Sequence, residues 1–79
     1  SCHSIVIGRE LVKSIDYVVC MNSEMPDNSS IAFSMGFYSG ITSGKSIESA
    51  FKFGVNSIQI QGLSGDLIPR LLIKNVSYE

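Results

Sequence analysis

The tightest constraint on how this chain folds is the run Ile15-Asp16-Tyr17-Val18-Val19-Cys20-Met21. It is crowded with β-branched and aromatic residues and stops at the turn formers Asn22, Ser23, Pro26, Asp27 and Asn28, which is the pattern of a strand. The run scarcely alternates with polar residues. A strand of that kind is expected to be covered on both faces, with helices on either side of its sheet, and this points to an α/β layer.

Beyond the run the apolar spacing turns helical. Ile31, Met35 and Tyr38 form one stripe and Phe33, Phe37 and Ile41 a neighbouring one, so a helix with a broad buried face is predicted over residues 27–43. Asp27 or Asn28 is suited to cap its start, Pro26 stands just outside, and Gly44 sits where a left-handed C-cap is wanted. Ser46, with Glu48 in the first turn, then opens a second helix whose face is Ile47, Ala50, Phe51, Gly54, Val55 and Ile58. That helix is expected to end before Gly62. A loop over residues 62–69 follows, and Leu71-Leu72-Ile73 within residues 70–74 reads as a last strand.

The N-terminal stretch admits two readings. Ile5-Val6-Ile7 favours a strand, whereas Ser4 as a cap with Ile7, Leu11 and Ile15 at fourfold spacing favours a helix, and Glu10 and Lys13 suit its polar side. Gly8 inside such a helix would cost about 1 kcal/mol relative to Ala.

At 79 residues the chain is one small domain at most. Six Lys and Arg against seven Asp and Glu leave a net charge of −1, so no basic field favours nucleic acid or an anionic membrane. Charged residues are 16% and apolar ones 44%, which argues against disorder and for a surface with more apolar area than usual. Two Cys and one His are too few for a closed zinc site, and no metal or other cofactor is expected. The Cys pair reads as reduced and the chain as cytoplasmic, and no apolar run reaches the roughly 20 residues that span a bilayer. Starting at Ser1 without Met, the chain reads as an excised piece. Two strands are too few to cover three helices, so an N-terminal half of the domain is expected to be missing.

Cys2 is the candidate for chemistry. It precedes the helical option for the N-terminus, and a thiol at a helix N-terminus is shifted toward the nucleophilic thiolate. His3, its sequence neighbour, is expected to point elsewhere, because a Cys/His dyad is normally assembled from distant positions. Cys20 reads as a small buried hydrophobe without a role. The loop from Asn22 leaves the carboxyl end of the first strand, where open α/β sheets place their crevice, so Asn22 and Ser23 are candidate substrate-pocket residues beside Cys2. Turn chemistry alone also accounts for them. No glycine pattern forms a phosphate fingerprint, and Gly36 and Gly40, four apart, are expected to permit close helix packing.

Almost end to end, these motifs resemble the C-terminal part of a bacterial CHAT or caspase-like domain. The resemblance is carried by Ser1-Cys2-His3-Ser4, by Ile15-Asp16-Tyr17-Val18-Val19-Cys20-Met21-Asn22, by the acidic Asp27, and by Phe37-Tyr38 through Gly44-Lys45-Ser46-Ile47-Glu48. It continues through Ala50-Phe51-Lys52, Gly54, Asn56 and Ile58-Gln59, and into Ile68-Pro69-Arg70-Leu71. The resemblance implies part of a three-layer α/β/α domain over residues 1–79, in the order helix, strand, helix, helix, strand, with the N-terminal stretch helical. It implies that Cys2 is the thiol nucleophile of peptide-bond hydrolysis. The family's general-base His lies upstream, and no residue of these 79 matches it; Cys20 stands where the family usually has Gly.

The expected function is therefore the nucleophile-bearing segment of a cysteine endopeptidase acting on protein or peptide substrates, inactive without the other half of its domain. The alternative is a non-catalytic module, derived from such a domain, that pairs with a partner or with itself as a homo-oligomer.

Overall fold

Residues 2–62 and 67–75 are described by the computed structural model. Their order is strand β1 (Cys2–Glu10), strand β2 (Ile15–Asn22), helix α1 (Asp27–Thr42), helix α2 (Ile47–Ile60) and strand β3 (Arg70–Asn75). Helix and strand are mixed, as an α/β layer requires, and β2, both helices and β3 fall where the spacing puts them. The expected broad buried face of α1 is narrower: Phe33 is buried, but Ile31, Met35, Tyr38 and Ile41 are exposed, because among the described residues α1 meets only the sheet and α2. The expected loop over residues 62–69 lies partly outside the described residues.

The N-terminal stretch is a strand, which overturns the helix that the caspase-like resemblance implied. β1 runs antiparallel to β2, from Cys2 opposite Asn22 to Glu10 opposite Ile15. The β-branched Ile5-Val6-Ile7 prefer this extended conformation, and pairing with β2 satisfies backbone groups that a short isolated helix leaves to water. Gly8 adjoins a register shift between Val6 and Gly8, and a Cβ there would run into the Ile47 side chain. The turn is closed by the Ser14 N–H donating to the Leu11 carbonyl at 3.2 Å, with Ser14 in the left-handed region at φ 54°. Beside it, the Arg9 guanidinium donates to the Asp16 carboxylate at 2.8 Å, an ion pair between register partners.

β3 pairs antiparallel on the other side of β2, giving the sheet order β1-β2-β3. The expectation of helices on both faces is not met. Phe33 and Ala32 of α1 and Ile58 of α2 all pack with Val19 in one cluster, flanked by Ile7, Met21 and Leu71, so both helices cover the same face. The result is two layers rather than three, only 14 Å through the shortest axis. Val18 and Cys20, on the opposite face, are still just 4% and 7% exposed. Their cover includes the neighbouring strands: Val18 stands between Val6 and Leu72, and Cys20 between Ser4 and Arg70. Leu67 and Ile68 also lie beside Cys20 on this face.

The helix ends follow their residues, with one exception. Neither Asp27 nor Asn28 caps α1: the N-cap is Pro26, without a side-chain cap bond, and its carbonyl accepts from the Ser29 and Ser30 N–H groups at 3.1 Å each. Asp27 lies instead in the first turn, where its carboxylate favours the helix dipole. At the far end Gly44 has φ +86°, its N–H donates to the Ile41 carbonyl and the Lys45 N–H to the Gly40 carbonyl, both at 3.0 Å, which is a Schellman closure. Ser46 caps α2 by accepting from the Ser49 N–H at 3.1 Å.

The two helices cross closely because small residues meet. A Cβ on Gly40 would lie 2.9 Å from Ala50 Cα, and one on Gly36 would lie 3.0 Å from Gly54 Cα. Phe33 fills the space between helices and sheet, stacked on Phe37 and edge-on to Phe51 at ring separations of 5.8 and 5.5 Å.

Two substitutions test this architecture. Gly40→Val overpacks the crossing and is expected to cost about 1–3 kcal/mol, lowering the melting temperature by roughly 4–8 °C per kcal/mol in circular dichroism; an unchanged melting temperature contradicts the close approach. Ser14→Gly distinguishes hairpin from helix. In the hairpin it relieves about 1 kcal/mol of left-handed strain and raises the urea midpoint, whereas in a helix it lowers it.

Candidate functional site

Antiparallel pairing brings the two ends of the hairpin's open side together. Cys2, at the start of β1, is the register partner of Asn22, at the end of β2, while Cys20 stands two residues before Asn22 on the same face. The Cα atoms of Cys2 and Cys20 are 5.8 Å apart, well within the range a disulfide spans, and the two residues are joined as one. The expectation of a reduced pair, with Cys20 a bystander, is thus corrected. Its physical reason is the hairpin, since a helical N-terminus would not have laid Cys2 diagonally across from Cys20.

Around this bridge lies a shallow hollow of about 330 Å³, lined by Cys2, Cys20, Asn22, Leu67, Ile68 and Arg70. Arg70 arrives through the second ladder, where it is the register partner of Cys20. The hollow therefore has an apolar wall, a sulfur bridge, one amide and one cation. Asn22 lines the hollow, and its side-chain oxygen accepts the Glu24 N–H at 2.8 Å and shapes the turn. Ser23 is exposed in that turn and is not among the lining residues.

Cys2 occupies a different setting from the predicted one. It opens an exposed edge strand rather than preceding a helix N-terminus, so the helix dipole does not act on its sulfur. His3 is the register partner of Met21 and lies on the helix-covered face, opposite to Cys2, in keeping with the expected divergence of the two side chains. The other ionisable groups of the hairpin collect at its far end. There Tyr17 donates to the Glu10 carboxylate at 3.2 Å; burial first, and then the hydrogen bond and negative charge of Glu10, hold its phenol above the ordinary range. Among the described residues no group of three or more His, Cys, Asp or Glu is arranged to hold a metal ion. No helix among them is long and apolar enough to cross a membrane.

Sequence reasoning missed Cys20 and Arg70. A signal for the first was present in Ile5-Val6-Ile7: read as a strand folded back at residues 11–14, it places Cys2 and Cys20 on one face. Arg70 had none, because its position depends on how β3 adds to β2.

The bridge closes across a sequence separation of 18 residues. Peptide mapping without reductant should recover the Cys2 and Cys20 peptides linked, and Cys20→Ala should free Cys2 for alkylation while lowering stability by about 3 kcal/mol. Full alkylation of both cysteines in unreduced protein contradicts the bridge.

Comparison with models of known protein families, with curated proteins and with solved structures gave no match to the chain.

Proposed function

We propose that the chain is the nucleophile-bearing C-terminal segment of a caspase-like cysteine endopeptidase of the cytoplasm, with Cys2 as the attacking thiol. The observation that carries this reading is the ordered series of motifs from Ser1-Cys2-His3-Ser4 to Ile68-Pro69-Arg70-Leu71, which begins on the reactive residue. Further support comes from the exposure of Cys2 and from the hollow beside it, which it shares with Asn22.

The chemistry needs two things that this chain does not provide in its bridged form. The first is a free thiol. A dithiol reductant supplies it: one of its thiolates attacks the Cys2 sulfur, Cys20 leaves as a thiolate, and the second thiol then displaces Cys2, so that the reductant is oxidised as the bridge is reduced. The second is a general base, because His3 diverges from Cys2; this reading assigns the base to an upstream half of a caspase-like domain. With both in place the Cys2 thiolate adds to the peptide carbonyl. The amine leaves with a proton from the base, and water hydrolyses the resulting thioester.

A peptidyl acyloxymethyl ketone probe tests this. Reduced chain combined with its upstream half should be labelled at Cys2, and unreduced chain or isolated reduced chain should not be labelled above background. Equal labelling of the isolated and the completed protein would overturn the peptidase reading.

A second reading has its own observation. Ile31, Met35 and Tyr38 are exposed together on α1, a helix without a charged residue after its first position, the pattern of a flank meant to be covered. This favours a non-catalytic interaction module derived from a caspase-like domain.

A further inference from the structure

We propose that β1 and the outward flank of α1 form a two-fold interface between two copies of this chain, with β1 pairing antiparallel to its counterpart and α1 packing against α1. The proposal rests on the interaction-module reading and names its partner as a second copy.

The two sheet edges are not alike. β3 carries Arg70 and Lys74, charges of the kind that keep an edge from accepting another strand. The first seven residues of β1 lack such a guard, for its charged residues, Arg9 and Glu10, stand only at its far end beyond Gly8. Its regular part, before the register shift at Val6/Gly8, is long enough for a short antiparallel ladder. Ile5 and Val6, on opposite faces of that strand, are 57% and 54% exposed, so each face of the edge presents an exposed apolar side chain beside the uncharged Ser4 or the neighbouring His3.

Above this edge the helical layer is incomplete. An apolar groove of about 510 Å³ runs between β1 and α1, with Ile5, Ile7 and Met21 from the sheet and Phe37 and Tyr38 from the helix among its lining. α2 lies on the other side, where Phe51 and Lys52 border Pro69, Arg70 and Leu71. The helix next to the unguarded edge is therefore α1, and its outward residues are Ile31, Met35 and Tyr38, exposed by 58%, 66% and 70%.

Charge and symmetry select the occupant. From Asn28 to Gly44 the chain has no Asp, Glu, Lys or Arg, so the helix flank and the edge below it are both neutral. Two such surfaces meet without repulsion and without stripping water from an ion, whereas a charged partner would lose hydration and gain no counter-charge. An antiparallel edge pairing has a two-fold axis perpendicular to the sheet. It keeps the helices of both copies on one face and brings the two α1 flanks together over the joined strands, so that two three-stranded sheets become one of six strands. Side chains of this size and exposure offer on the order of 600 Å² of apolar area per copy, which together reaches the lower end of stable interfaces.

Sedimentation equilibrium of the full chain in non-reducing buffer, from micromolar to millimolar concentration, tests the interface, with a denaturing gel to exclude disulfide-linked dimers. The expected result is a reversible monomer–dimer equilibrium that Ile5→Lys and Tyr38→Lys each weaken by about tenfold or more, with unchanged circular dichroism because both side chains are exposed. Amide exchange in β1 should slow with concentration in the parent chain and in neither variant. A strict monomer, a dimer that neither variant weakens, or protection of β3 in place of β1 overturns the proposal. A strict monomer that nonetheless takes up a separately produced caspase-like N-terminal half overturns self-pairing and leaves the interaction-module reading intact.

Discussion

The pairing of β1 with β2 is the contact on which the other features depend. It makes β2 central, and places Val6 and Ser4 beside the buried Val18 and Cys20 on the face away from the helices. By the same step Cys2 is carried diagonally across to Cys20, and the single His is turned onto the other face. It also leaves β1 itself as an edge. Remove the pairing, and the bridge, the hollow with Asn22 and Arg70, and the neutral edge all lose their geometric basis together.

The helices answer to a different constraint, which is how near they can come to one another. Gly36, Gly40 and Gly54 with Ala50 let the backbones approach, and this brings Ile58 into full burial against Ala32, Phe33 and Val19. A close pair of this sort covers β2 and the β3 side well but is narrow. It meets β1 at Gly8, against Ile47, but leaves the stretch around Ile5 open, and the groove beside Ile5 and Ile7 is the consequence. Among the described residues more large apolar side chains are exposed than buried, which marks a body whose apolar faces exceed its own capacity to cover them.

Much of this was legible in the chain. Ser46, Gly44 and the stripe Ile47, Ala50, Phe51, Gly54, Val55 and Ile58 state their roles locally, since a cap, a left-handed glycine and a helical period involve only near neighbours. The Gly36 and Gly40 spacing was equally readable. The segment from Ser4 to Ser14 was not, because its propensities were evenly matched and a distant strand decided between them. For the candidate site, Asn22 beside Cys2 could be foreseen from chain ends alone, although the expected reason, adjacent carboxyl ends of strands, differs from the antiparallel register that places them. Arg70 could not, since nothing near it in sequence points to Cys20.

By itself, then, the sequence determined where the helices and the two later strands lie, how α1 closes at Gly44 and α2 opens at Ser46, and that small residues let the helices approach each other. Those properties are local, set by side chains within a few residues of one another. Only the tertiary structure decided that the N-terminus is a strand, that both helices share one face, and that Cys2 meets Cys20. Each of these turns on backbone pairing between segments far apart in the chain, and the free energy of such pairing belongs to the partners jointly and to neither segment's own residues.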